Sequence, residues 1–68
     1  MDENRILIVS EEREEVVEEH PKSGIGTIAL VQCWGTDSTG RKWVYLRQRE
    51  IDANGSVRYS DRFSFART

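Results

Sequence analysis

Ser10 to His20 reads SEEREEVVEEH, and whether this stretch is helix or strand decides the fold class of the chain. Ser10 can cap a helix, Glu11 and Glu12 would then occupy the first turn, where the helix dipole favours anions, and Pro21 supplies a stop. Against this, the only aliphatic residues are the β-branched pair Val16 and Val17, and Glu11/Glu15, Glu14/Glu18 and Glu15/Glu19 repel at i,i+4. Glu18 and Glu19 also sit at the unfavourable end of the dipole. The competing reading makes Glu15 to Glu19 a short edge strand that turns through Pro21-Lys22-Ser23-Gly24. The expectation taken forward is the helix.

On either side the pattern is that of strands. Ile6 to Val9 is a continuous apolar run that suits a first strand buried on both faces. From Thr27 to Trp34 both alternating sets are apolar, as in a central strand covered on both sides: Ile28, Leu30 and Trp34 on one, Ala29, Val31 and Cys33 on the other. A turn at Thr36 to Gly40 leads to two strands, Lys42 to Asp52 and Ser56 to Ala66, joined through Asp52-Ala53-Asn54-Gly55. The expected fold is α+β, a single domain over residues 1–68 in the order β-α-β-β-β with a C-terminal antiparallel meander. The alternative is an all-β, five-stranded small barrel.

The register of the last hairpin controls where its aromatic residues go. A two-residue turn at Asn54-Gly55 would pair Glu50 with Tyr59 and Leu46 with Phe63. Trp43, Tyr45, Arg47 and Arg49 would then share a face with Arg58 and Arg62, a platform suited to stacking on single-stranded nucleic acid. A three-residue turn through Ala53, Asn54 and Gly55, with Gly55 left-handed, instead sets Glu50 opposite Arg58 and Arg47 opposite Asp61. It collects Trp43, Tyr45, Ile51, Val57, Tyr59, Phe63 and Phe65 on one apolar face. Opposite charges across strands and clustered rings favour the second register.

Sixty-eight residues support only a thin core. Cys33 is the only cysteine, so no intrachain disulfide reinforces it, and the thiol reads as a small buried hydrophobe in a reducing compartment. The acidic start Met1-Asp2-Glu3 and the short apolar runs fit neither a secretory signal nor a membrane span, so a cytoplasmic protein is expected. The net charge of −2 is unevenly spread. Residues 1–35 carry eight acidic against three basic side chains, and residues 36–68 seven basic against four acidic.

No catalytic pattern emerges. His20 has only Glu18, Glu19 and Pro21 around it, one His and one Cys make no metal-ligand set, and the glutamate run lacks the spacing of a calcium loop. Ser23-Gly24-Ile25-Gly26-Thr27 leads into a strand, unlike a phosphate-binding loop. No cofactor, metal or enzymatic activity is expected. What remains is a basic set, Arg41, Lys42, Arg58 and Arg62, with Arg58 and Arg62 expected to project together beside Val44 and Leu46. This suggests a small protein-interaction module, self-association included, whose basic face either meets a partner or is covered by the acidic N-terminal element. The second reading is a nucleic-acid-binding domain with a basic and aromatic sheet face.

Overall fold

The computed structural model describes residues 6–22 and 26–68. In them the chain forms five β-strands and no helix: β1 (Ile8–Pro21), β2 (Thr27–Asp37), β3 (Lys42–Ile51), β4 (Val57–Tyr59) and β5 (Phe63–Arg67). All belong to one antiparallel sheet in the order β1-β2-β3, with β4 and β5 both along the far edge of β3. The expected α+β fold is therefore wrong; the alternative holds in its five strands and all-β character, but no backbone pairing among the described residues joins β1 to β4 or β5 to close a barrel. The Met1-Asp2-Glu3 start, and Ser23, Gly24 and Ile25, where a turn was expected, lie outside the described residues.

Ser10 to His20 is strand because its glutamates find partners there that a helix would deny them. In an extended strand residues four apart stand about 13 Å from one another, which relieves the i,i+4 repulsions, and Glu11, Glu14 and Glu19 then face Arg47 and Arg49 on β3 and Arg62 just ahead of β5. The pairing with β2 slips by one residue at three places, between Ile8 and Ser10, Glu11 and Arg13, and Val16 and Glu18. Fourteen residues of β1 thus run beside eleven of β2. Such bulges bend a strand and increase its twist.

One face of the sheet holds the core. Ala29, Val31 and Cys33 of β2 are buried on it with Ile8 and Tyr45, and Ile6, Trp43 and Phe65 pack at its margin. Phe65 meets Trp43 edge-on, with ring centroids 6.0 Å apart, and Tyr45 at 5.2 Å. We call this the inner face. The other set on β2, namely Ile28, Leu30 and Trp34, is only half-buried, so β2 is central but covered on one side, contrary to the expectation of two.

The sheet curls around its inner face. β1 and the β4–β5 edge are three strand spacings apart, about 14 Å in a flat sheet. Yet the Tyr59 hydroxyl of β4 donates to Glu14 of β1 at 3.0 Å, and Arg62, just ahead of β5, donates to Glu11 at 3.2 Å. Side chains close the curl.

The hairpin after β3 takes the three-residue turn. Asp52 N–H donates to Ser56 O at 3.0 Å, Gly55 N–H returns to Asp52 O at 2.9 Å, and Gly55 has φ of 87°. Glu50 lies opposite Arg58, and Arg49 opposite Tyr59. The expected continuous second strand does not persist, however. Pairing breaks after Tyr59 and resumes one step out of phase with Leu46 opposite Phe63, and a second one-residue shift, where Ser64 adopts φ of 58°, sets Val44 opposite Ala66. Phe63 consequently leaves the aromatic face and joins Leu46 on the outer one.

Candidate interaction surface

The inner face carries most of the polar chemistry. Glu11 accepts hydrogen bonds from the Tyr45 hydroxyl at 2.7 Å, from Arg47 at 3.2 Å and from Arg62 at 3.2 Å. Desolvation pushes the Glu11 pKa up, but the hydrogen bonds from Tyr45 and Arg62 and the charges of Arg47 and Arg62 outweigh it, leaving the carboxyl more acidic than usual. Burial, then Glu11, pushes the Tyr45 phenol far above its ordinary value. Glu14 receives Arg49 at 3.0 Å as well as Tyr59, and Glu19 lies 3.6 Å from Arg49. Arg47 also lies over the Tyr59 ring, 4.5 Å from its centroid. The arginines beside the aromatic rings are thus each matched by a β1 glutamate.

The four basic residues singled out by the sequence are dispersed. Arg62 turns inward between Glu11 and the Tyr45 ring, with a side chain 33% exposed. Arg58 stays on the outer face, 80% exposed, with Glu50 at the 4.0 Å limit of an ion pair. The expected joint projection of Arg58 and Arg62 fails because the break after Tyr59 turns the chain over between them. Lys42 is exposed and 3.7 Å from Glu12. Arg41 is held at the β2–β3 turn through its backbone: Asp37 accepts from Arg41 N–H and Thr39 N–H, both at 2.9 Å, from the Thr39 hydroxyl and from the Trp43 indole at 2.9 Å. The Trp43 hydrogen bond is the main cause of an Asp37 pKa well below the carboxylate range.

Neither Cys33 nor His20 sits in a reactive setting. Cys33 is buried, and desolvation, followed by the charges of Glu11 and Glu14, raises its pKa and favours the unreactive thiol. His20 is exposed on β1, 3.7 Å from Glu18. Among the described residues no group of three or more His, Cys, Asp or Glu side chains could hold a metal ion, and no helix is long and apolar enough to cross a membrane.

The surface that sequence reasoning missed is the outer face. Pairing places Ile28, Leu30 and Trp34 of β2 beside Val44 and Leu46 of β3, and Phe63, 41% exposed, extends the set onto β5. Arg13 lies across the Trp34 ring, 4.3 Å from its centroid, and itself pairs with Glu15. Two open depressions mark this face, one between Ile28, Gln48 and Arg58, the other between Gln32, Leu46, Ser64 and Ala66. Among the described residues no second layer lies over it. The available signal was the second apolar set on β2, which was assigned to a core and belongs to a surface. Set against known proteins, the chain matches no family model, no curated protein and no solved structure.

Proposed function

We propose that this chain is a non-enzymatic protein-interaction module that works through the outer face of its sheet. One observation carries the reading: Ile28, Leu30, Trp34, Val44, Leu46 and Phe63 lie together on a sheet face that no other element of the described chain covers. A sheet apolar on one face buries that face against another layer, and one apolar on both needs two layers. Contiguous apolar surface on a small protein marks a site of association. A half-buried tryptophan under an arginine, with polar residues at the rim, has the composition of a protein contact. The nucleic-acid reading is weakened by the inward disposition of Trp43 and Tyr45 and by the glutamates matched to Arg47, Arg49 and Arg62.

Hydroxyl-radical footprinting of the full chain, alone and in extract of its own cells, tests the proposal. Trp34, Leu46 and Phe63 should be protected in at least one setting, while Val57 and Tyr59, exposed on the opposite side of β4, stay reactive. Full reactivity of the outer face in both settings would end it.

A further inference from the structure

We infer that Asn54 is a self-modifying site: through openings of the β3–β4 turn the Gly55 backbone nitrogen converts its side-chain amide to isoaspartate, and the product releases β4 from the sheet. The reaction needs no partner and is independent of what docks on the outer face.

The reacting groups are adjacent and exposed. Asn54 and Gly55 both lie in the exposed turn between Ile51 and Val57, and a Cβ built on Gly55 would meet nothing within 4 Å. Having no side chain, Gly55 leaves its nitrogen uncrowded. That nitrogen attacks Cγ of Asn54 and closes a five-membered imide, a reaction favoured by its being intramolecular. The new bond joins Gly55 N to Asn54 Cγ, the bond from Cγ to the side-chain nitrogen breaks, the Gly55 amide proton passes to solvent, and ammonia leaves. Water then opens the imide. Its addition at the Asn54 main-chain carbonyl leaves the chain running through Cγ as isoaspartate, and addition at Cγ leaves ordinary aspartate. Water is the only co-reactant.

The folded turn holds this chemistry back. Gly55 N–H donates to Asp52 O at 2.9 Å, so the nitrogen is committed to the turn and attacks only after that hydrogen bond breaks. The Asp52 carboxylate secures the same turn by accepting from Asn54 N–H at 2.9 Å and from Ser56 N–H at 3.0 Å. Asp52 is therefore a positioning residue that guards Asn54: without its side chain the reacting pair is intact and the turn opens more often.

The product does not fit the turn. Isoaspartate lengthens the backbone by one carbon inside the three-residue loop that the Asp52–Ser56 hydrogen bond closes, and it adds a carboxylate beside Asp52. β4 is weakly anchored against such a change. Val57, Arg58 and Tyr59 are all exposed, and the pairing with β3 stops after Tyr59. Segments with few buried contacts and exposed hydrogen bonds open at a small fraction of the cost of global unfolding. Just past β4, Ser60 N–H donates to Gln48 O at 2.9 Å, and this bond reports whether the edge remains in register.

Peptide mapping of the purified full chain, incubated at neutral pH and sampled over weeks by mass spectrometry with isoaspartate-specific fragmentation, is the test. Isoaspartate should accumulate at residue 54, and about tenfold or more faster in urea than in the folded chain. Asp52→Ala should raise the folded-state rate by about tenfold, the effect of losing its two hydrogen bonds, and leave the rate in urea unchanged. Asn54→Gln, which would have to close a six-membered ring, should stay unmodified over the same period. In the isolated isoaspartate form the Ser60 amide should exchange with deuterium about tenfold faster than in the unmodified chain. Asn54→Asp, which adds the charge without the extra carbon, should keep most of that protection. The inference is overturned by the absence of isoaspartate at residue 54, by equal rates in the folded chain and in urea, or by an Asp52→Ala chain that reacts no faster than wild type. An isoaspartate form whose Ser60 amide stays protected overturns it equally.

Discussion

The Tyr45 hydroxyl donates a 2.7 Å hydrogen bond to Glu11, tying β3 to β1 across the intervening β2. Tyr45 is 1% exposed, so its ring is core and its hydroxyl is the first of three donors on one carboxylate. Tyr45→Phe keeps the packing and removes that donor. It should cost about 1–2 kcal/mol, since Glu11 retains Arg47 and Arg62. Glu11→Ala should cost more, because it leaves two arginines and a phenol without their acceptor. Urea unfolding of the two variants and their double should reveal coupling; strictly additive losses would show that the hydrogen bond contributes nothing.

Positive φ at two positions has opposite consequences for substitution. Ser64 holds φ of 58° where β5 re-registers, a conformation that costs a residue with a Cβ about 1 kcal/mol. Ser64→Gly should therefore raise the melting temperature by a few degrees, the gain being reduced by the greater freedom of glycine in the unfolded chain. Gly55, at φ of 87° with open space around it, should lose about 1 kcal/mol on conversion to Ala from backbone strain alone. Calorimetry showing the same sign for both would contradict this account.

Gly35 is required for a different reason. A Cβ there would stand 2.8 Å from the Ser10 carbonyl oxygen and 2.8 Å from the Tyr45 hydroxyl. Gly35→Ala must push β1 away or displace the hydroxyl that serves Glu11, at a cost of about 1–3 kcal/mol. The displaced hydroxyl should also appear as a lower Tyr45 pKa in a spectrophotometric titration, and an unchanged titration would argue that β1 alone moves.

Acid should loosen the β2–β3 turn. Asp37 has a folded pKa depressed chiefly by the Trp43 indole, with Thr39 and the Arg41 amide adding to it. A depressed pKa means the stabilisation is complete above the ordinary aspartate value near 4, and is lost as pH falls from there toward the folded pKa. Glu11, also lowered, contributes with the same sign. The stability difference between wild type and Asp37→Asn should be largest near neutrality and shrink below about pH 4. Urea midpoints that differ by the same amount at every pH would rule this out.

How much of this was legible depended on range. The Asp52–Ser56 turn was readable because its determinants are adjacent: Asp52 accepts from Asn54 and Ser56 amides, and Gly55 supplies the left-handed residue. That local geometry set Glu50 against Arg58. The same reasoning failed just beyond Tyr59, where the pairing steps by one residue before Phe63 meets Leu46, and so Arg62 and Phe63 were assigned to the wrong faces.

Ser10 to His20 shows the division most plainly. Its own residues carry a cap, a stop and a run of mutually repelling glutamates, and they leave helix and edge strand both open. The partners that settle the matter, Arg47, Arg49 and Arg62, lie 30 to 51 residues away in sequence from the glutamates they meet. Alternation along β2 and the turn at Gly55 are written into neighbouring side chains, because a strand's period and a residue's allowed φ are local properties. The state of β1, the burial of Arg62 and the bareness of the outer face come from which strands lie side by side, and that is settled by side chains meeting across the curl of the sheet.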